Sequence, residues 1–289
     1  MAHRRLRGGF ETLALVASLL ATGACKKQSS DAPRPDLSAA SPARVTSEAP
    51  SPAVPSAAPG AADAAASGDV IATEQGPLRV VPVFHGMLRL EHAGKVIYVD
   101  PHKADEIPDA PRADLVLITD VHADHFDPEG LAKVSQPSTK IVAPPAVVEK
   151  EQRALPLKNG ETANVAGVAI EAVPMYNLKR GPKPGTVFHE KGRGNGYILR
   201  LGGRRVYIAG DTECTDEMRA LTNIDVAFLP MNLPYTMPPE EAAECARAFK
   251  PKIVYPFHYR GSDPSVFHKA LADVPGVEVR LREWYPGGA

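Results

Sequence analysis

Short apolar runs that each break off at an aspartate or a histidine recur from about residue 78 onward, and they restrict the fold more than any other feature. Val96–Val99 stops at Asp100-Pro101, and Asp114-Leu-Val-Leu-Ile-Thr119 runs into Asp120-Val-His-Ala-Asp-His125. Arg205–Ala209 leads to Gly210-Asp211, and Lys252–Phe257 ends in His258. Such runs read as buried strands. Helical stretches are expected between them, at 128–134, 146–152, 217–221, 238–249 and from Pro264. Alternation of this kind calls for an α/β fold with its chemistry at the carboxyl ends of the strands. If neighbouring strands are aligned, the aspartates and histidines converge on one rim.

The densest of these loops is 120–125. Period-two spacing lets Asp120 and His122 point one way in an extended segment, while Asp124 and His125 turn toward a second point. One loop could then gather two metal ions. Capping of the next helix is the alternative account, but Asp127 before Pro128 already fills that role and leaves the upstream residues unexplained. Asp100 reads either as a turn residue or as a carboxylate that orients a metal-bound imidazole. Asp211 reads either as a ligand freed by Gly210 or as a helix cap, a role Thr215 serves as well. His189, taken alone, reads as a surface histidine ahead of Gly192, Gly194 and Gly196. Imidazole and carboxylate donors without thiolate suit a catalytic zinc or a similar divalent ion better than a closed structural site.

The amino-terminal part is of a different kind. Residues 1–24 combine the basic Met1–Arg7, an apolar Leu13–Leu20 too short to span a bilayer, and the small residues Thr22-Gly-Ala24, which together make an export signal. Cys25 follows as in a bacterial lipobox, although Thr22 stands where Leu is usual; cleavage near Ala24 to give a soluble protein is the alternative. Residues 25–77 are rich in Ala, Pro and Ser and lack regular apolar spacing, so they are expected to form a disordered tether. A folded domain is expected over 78–289. The net charge of -1 removes any case for a nucleic-acid groove. The expected location is the cell envelope or periplasm, with membrane attachment only through a lipid on Cys25.

Phe188-His-Glu-Lys-Gly192, Gly210-Asp-Thr212, Tyr235-Thr-Met237, Pro256-Phe-His-Tyr259 and Asp120-x-His-x-Asp-His125 together resemble the metallo-β-lactamase-fold hydrolases. The branch they look most like is that of zinc-dependent hydrolases similar to L-ascorbate-6-phosphate lactonase. The resemblance implies an αββα sandwich with a dinuclear centre. His122, His189 and the residue at 120 would hold one ion; Asp124, His125 and His258 would hold the other, with Asp211 bridging. The family pattern has His where this chain has Asp120. An aspartate there favours harder ions such as manganese, or leaves a single metal in the second pocket.

The implied reaction is hydrolysis of an ester, lactone, amide or phosphodiester by a metal-activated water, with Asp124 orienting or deprotonating that water. His85, Asn177, Lys191 and Tyr235 are candidates for the wall around a small-molecule substrate, although each also suits an ordinary structural role. A catalytically inactive, metal- or ligand-binding envelope protein on the same fold is the alternative from a different class. Cys214 and Cys245 could pair in an oxidising compartment, but one lies on a loop and the other in a helix, and free thiols are the favoured expectation.

Overall fold

The computed structural model describes residues 68–107 and 111–286. The segments expected to be an export signal and a tether, up to residue 67 and including Cys25, lie outside the described residues. One seven-stranded sheet runs in chain order through β1 (Asp69–Ile71), β2 (Leu78–Phe84), β3 (Met87–His92), β4 (Lys95–Val99), β5 (Leu115–Leu117), β6 (Lys140–Ala143) and β7 (Leu155–Pro156). A second seven-stranded sheet runs through β8 (Thr162–Val165), β9 (Val168–Met175), β10 (Gly194–Leu201), β11 (Arg204–Ile208), β12 (Val226–Pro230), β13 (Ile253–Phe257) and β14 (Glu278–Val279).

The two sheets share one plan: their first four strands pair antiparallel, and from the fourth strand onward the pairing is parallel. Parallel neighbours cannot be joined by a tight turn, so the crossovers carry the helices. These are α1 (Pro128–Val134), α2 (Pro145–Val148), α3 (Asp216–Arg219), α4 (Pro239–Phe249) and α5 (Pro264–Leu271). Asp127, Thr215 and Asp263 each cap a helix by accepting from a backbone N–H in its first turn. Asp211 is thereby free of that duty.

β5 and β12 are buried at every position, as parallel strands covered on both faces must be. The sheets are tied where β5 ends: the Tyr197 hydroxyl donates to the Ile118 carbonyl at 2.8 Å, and the Asn195 amide to the Thr119 carbonyl at 2.8 Å. Two mixed sheets with a common core and few helices make the α/β sandwich expected from the sequence. Among the described residues no helix is long and apolar enough to cross a membrane.

Some expectations need correction. The expected tether range, 25–77, overlaps ordered structure at its end: β1 pairs with β2, and Asp69 accepts from the Tyr255 hydroxyl at 2.6 Å and from Arg282. A three-residue strand is too short to show periodicity. The helix expected over 146–152 is a single turn, Pro145–Val148. Cys214 and Cys245 are not free thiols but a disulfide, with Cα atoms 5.6 Å apart. The loop beyond Asp211 lies against α4, as the Cys214 amide facing Glu241 Oε1 also records, and sequence distance hides this proximity.

Candidate metal centre

The strand ends deliver their side chains to one place because of the backbone just beyond them. His85 after β2, Asp100 after β4 and His258 after β13 all have positive φ, at 55°, 48° and 47°. The left-handed region costs a non-glycine residue roughly 1–2 kcal/mol, so these corners persist only because their surroundings hold them. Each turns the chain sharply at a strand end and leaves an imidazole or carboxylate on the rim. Gly86 contributes by lacking a side chain: a Cβ there would lie 2.9 Å from His258 Cδ2.

Ligand atoms of Asp124, His125, Asp211 and His258 all lie within 4.8 Å of one another. His125 Nε2 is 3.3 Å from Asp211 Oδ2, and His258 Nε2 is 3.4 Å from both Asp211 Oδ1 and Asp124 Oδ2. His125 Nε2, His258 Nε2 and Asp211 Oδ1 are buried with no hydrogen-bond partner. Unpartnered buried polar atoms are costly, and three converging on one point fit a cation. This four-residue group therefore fits a divalent ion by its own chemistry.

The supporting carboxylate is Asp100. It is buried and accepts from the Thr119 amide at 2.7 Å and the Thr119 hydroxyl at 2.6 Å, while its Oδ2 faces His125 Nδ1 at 2.8 Å. That holds a proton on Nδ1, so Nε2 is the nitrogen from which a proton can leave to make room for an ion. Asp100 thus lies against the His125 imidazole, where a carboxylate can orient that ring.

Charge in the centre is strongly coupled. Burial alone would lower the pKa of His125, but the Asp211 and Asp100 carboxylates outweigh it and raise it well above 6.5. Burial would raise Asp124 and Asp211, yet the surrounding histidines hold both well below the usual carboxylate range. His85 is pushed down to about 4, first by burial, and is neutral near pH 7. Its Nδ1 meets the Tyr285 hydroxyl at 2.6 Å and its Nε2 lies 3.4 Å from Asp124.

A second group, Asp120, His122 and His189, also has ligand atoms within 4.8 Å of one another. His189 is buried, not on the surface, and its Nε2 lies 3.4 Å from Asp211 Oδ2. Asp120 differs from the carboxylates of the first group. Both its oxygens receive Arg193, Nε to Oδ1 at 3.2 Å and Nη2 to Oδ2 at 3.0 Å, and His122 Nδ1 adds a 2.8 Å contact. Burial works to raise the Asp120 pKa, but His122, His125 and Arg193 bring it down to about 2.

A cavity of about 670 Å³ opens over the centre, lined among others by His85, Asp124, Phe188, Tyr235, His258 and Arg260. Of the residues expected in a substrate wall, His85 and Tyr235 are there. Asn177 is not: it is buried, accepts from the His189 amide at 2.9 Å and contacts His189 Nδ1 at 2.7 Å, so it orients His189. Lys191 is not either; it is exposed, pairs with Glu217 at 2.5 Å and lies over the Tyr176 ring. Arg193, Glu213 and Tyr285 were not singled out by the sequence reading. The one available signal was a cation embedded in the Gly192-Arg193-Gly194 run. Glu213 bonds Asn177 Nδ2 at 3.1 Å and so stands behind the His189 support.

Comparison with known proteins agrees with this geometry. The model of the beta-lactamase superfamily domain matches residues 83–258. A UPF0173 metal-dependent hydrolase of Pyrococcus abyssi is 32% identical over 205 residues, which cover 63% of this chain and 88% of that protein. One of Thermococcus kodakarensis is 31% identical over 225 residues, covering 68% of this chain and 96% of that protein. A crystal structure from Parabacteroides distasonis, described as that of a metal-dependent hydrolase, superposes with a TM-score of 0.70 at 42% identity, covering 75% of this chain and 99% of that one. With an internal duplication of mixed sheets, a rim of histidines and aspartates, and relatives matched over most of their length, the chain belongs to the metallo-β-lactamase superfamily of metal-dependent hydrolases.

Proposed function

We propose that this protein is an exported hydrolase that cleaves an ester, lactone, amide or phosphodiester in a small molecule. The observation that carries the reading is the convergence of the unpartnered His125, His258 and Asp211 atoms with Asp124 on the floor of a cavity. Zinc or manganese bound there would supply a water acidified from about pKa 15.7 toward 7 and an electrophile for the developing oxyanion. The chain's own residues do the rest. Asp100 holds the His125 tautomer, Asn177 holds His189, and Asp124, partly exposed to the cavity, is placed to accept the proton of the attacking water. His85 is neutral near pH 7 and braces Asp124. Phe188 and Tyr235, ring centroids 5.0 Å apart, form an apolar wall, and Arg260 places a fixed positive charge at the rim. A cavity of this size suits a small molecule rather than a polymer.

Export is supported by the signal-like residues 1–24 and by the Cys214–Cys245 disulfide, which belongs in an oxidising compartment. Cys25 would carry the lipid that tethers the domain to a membrane. The deciding experiment is a hydrolysis screen of the purified protein loaded with zinc or manganese, over lactones first and then phosphodiesters and β-lactams. Turnover that disappears on chelation is expected. Stoichiometric metal without turnover of any of them would favour a non-catalytic binding protein, a reading that the engagement of Asp120 by Arg193 keeps in play. For the anchor, a purified chain whose Cys25 carries no acyl mass would remove the lipoprotein part alone.

A further inference from the structure

We propose that Arg193 takes the place of one of the two metal ions, so that the centre holds a single divalent ion on the Asp124, His125, Asp211 and His258 side. This rests on the metal-dependent reading above and deepens it. Two residues of the second group, Asp120 and His122, are already engaged. The guanidinium of Arg193 grips both oxygens of Asp120 in the planar fork that such pairs adopt, at 3.2 and 3.0 Å. The same Nη2 donates to the Phe188 carbonyl at 3.0 Å and stands 3.5 Å from His122 Nε2. The cation is thus fixed by Asp120 and the Phe188 carbonyl and stands beside the His122 ring.

Charge decides between the two groups. In the first, two carboxylates, Asp124 and Asp211, face two imidazoles, with Asp100 behind one of them. In the second, the one carboxylate is neutralised by Arg193, and the remaining donors are the imidazoles of His122 and His189. A divalent ion entering there would meet a permanent like charge and would have to compete with it for both oxygens of Asp120. The unpartnered buried atoms His125 Nε2, His258 Nε2 and Asp211 Oδ1 all lie in the first group. The second group therefore does not fit an ion, and the replacement of histidine by Asp120 is explained as half of a pair whose other half is Arg193.

The test is metal stoichiometry. The full exported chain would be equilibrated with excess zinc, freed of loose metal and measured by elemental analysis and native mass spectrometry. One ion per chain is expected, retained in Asp120→Asn and lost in His258→Ala. A double variant, Asp120→His with Arg193→Ala, is expected to bind two. Two ions in the unaltered protein would overturn the proposal, as would a double variant that still binds one. A single ion that survives His258→Ala but leaves with His189→Ala would overturn its placement. No ion at all in the unaltered protein would instead sink the metal-dependent reading on which the proposal rests. The stoichiometry of the unaltered protein decides the main point even if a variant does not fold.

Discussion

Asp100→Asn isolates the role of the carboxylate behind the centre with the smallest change in shape. Asp100 Oδ1 accepts from the Thr119 amide, and Oδ2 meets the Thr119 hydroxyl and His125 Nδ1 within 2.8 Å. An asparagine must place its NH2 at one of these positions. At the first it opposes a backbone N–H. At the second it donates to His125 Nδ1, and the imidazole must then carry its proton on Nε2, the atom that faces Asp211 at 3.3 Å and points into the centre. Either outcome removes a supporting bond, and the second also removes a ligand lone pair. Loss of such a supporting contact lowers metal affinity about 10- to 100-fold, or roughly 1.4–2.7 kcal/mol. Competition between the protein and a chromogenic chelator at fixed pH and salt reads the dissociation constant directly. Circular dichroism confirms that the variant is folded. A folded Asp100→Asn protein whose zinc affinity stays within about threefold of the parent would refute the argument that Asp100 sets the His125 tautomer.

Replacing His125 or His258 by Ala should remove the bound ion and activity together, and metal content unchanged by either would show that the ion sits elsewhere. Gly86→Ala would set a methyl 2.9 Å from His258 Cδ2, so metal affinity should fall by an order of magnitude or more while the fold persists; an unaltered affinity would mean that the ring is not held there. The disulfide closes a loop of 31 residues, for which chain entropy gives about 4 kcal/mol. The Cys214→Ser, Cys245→Ser double variant should accordingly melt roughly 8–16 °C lower, and equal melting temperatures would contradict the pairing. Because Asp211 and Asp100 raise the His125 pKa, despite burial, well above 6.5, the metal-free protein holds a proton that the ion must displace at neutral pH. Affinity should then rise with pH through and beyond 6.5, with proton release seen by calorimetry in buffers of different ionisation enthalpy; a pH-independent affinity between 6 and 8 would contradict it.

The sequence made the rim legible because apolar strands announce themselves and Asp100, the 120–125 loop, Asp211 and His258 follow them directly. It could not rank candidates that differ only in which way they face. Asn177 and Lys191 are both polar residues in one long loop, yet the first is buried under His189 and the second pairs with Glu217 in solvent. The disulfide was unreadable for a similar reason: Cys214 and Cys245 are joined by the packing of α4 on the Asp211 loop. Strands β1 and β8 escaped because they are three and four residues long, and β8 is largely polar. Arg193 could not be inferred as the partner of Asp120, 73 residues away, without the register that sets β10 beside the end of β5.

The duplicated plan of the sheets explains why one rim can hold all these groups. The first parallel step follows β4 in one sheet and β11 in the other; Asp100 directly follows the first of these strands, and Asp211 comes after Ala209-Gly210 beyond the second. Equivalent corners of the two halves thus each supply a buried carboxylate, and the two oppose each other across His125: Asp100 at Nδ1, Asp211 at Nε2. One carboxylate fixes the imidazole from behind and the other meets it in front, so the same corner has become a support in one half and a ligand candidate in the other. His85 and His258, whose rings meet at a tilt with centroids 3.7 Å apart, likewise come from opposite sheets, after β2 and β13. Each half alone presents only part of a binding set. The site forms only where the two sheets meet, which is why the fold must close before any ion can be held.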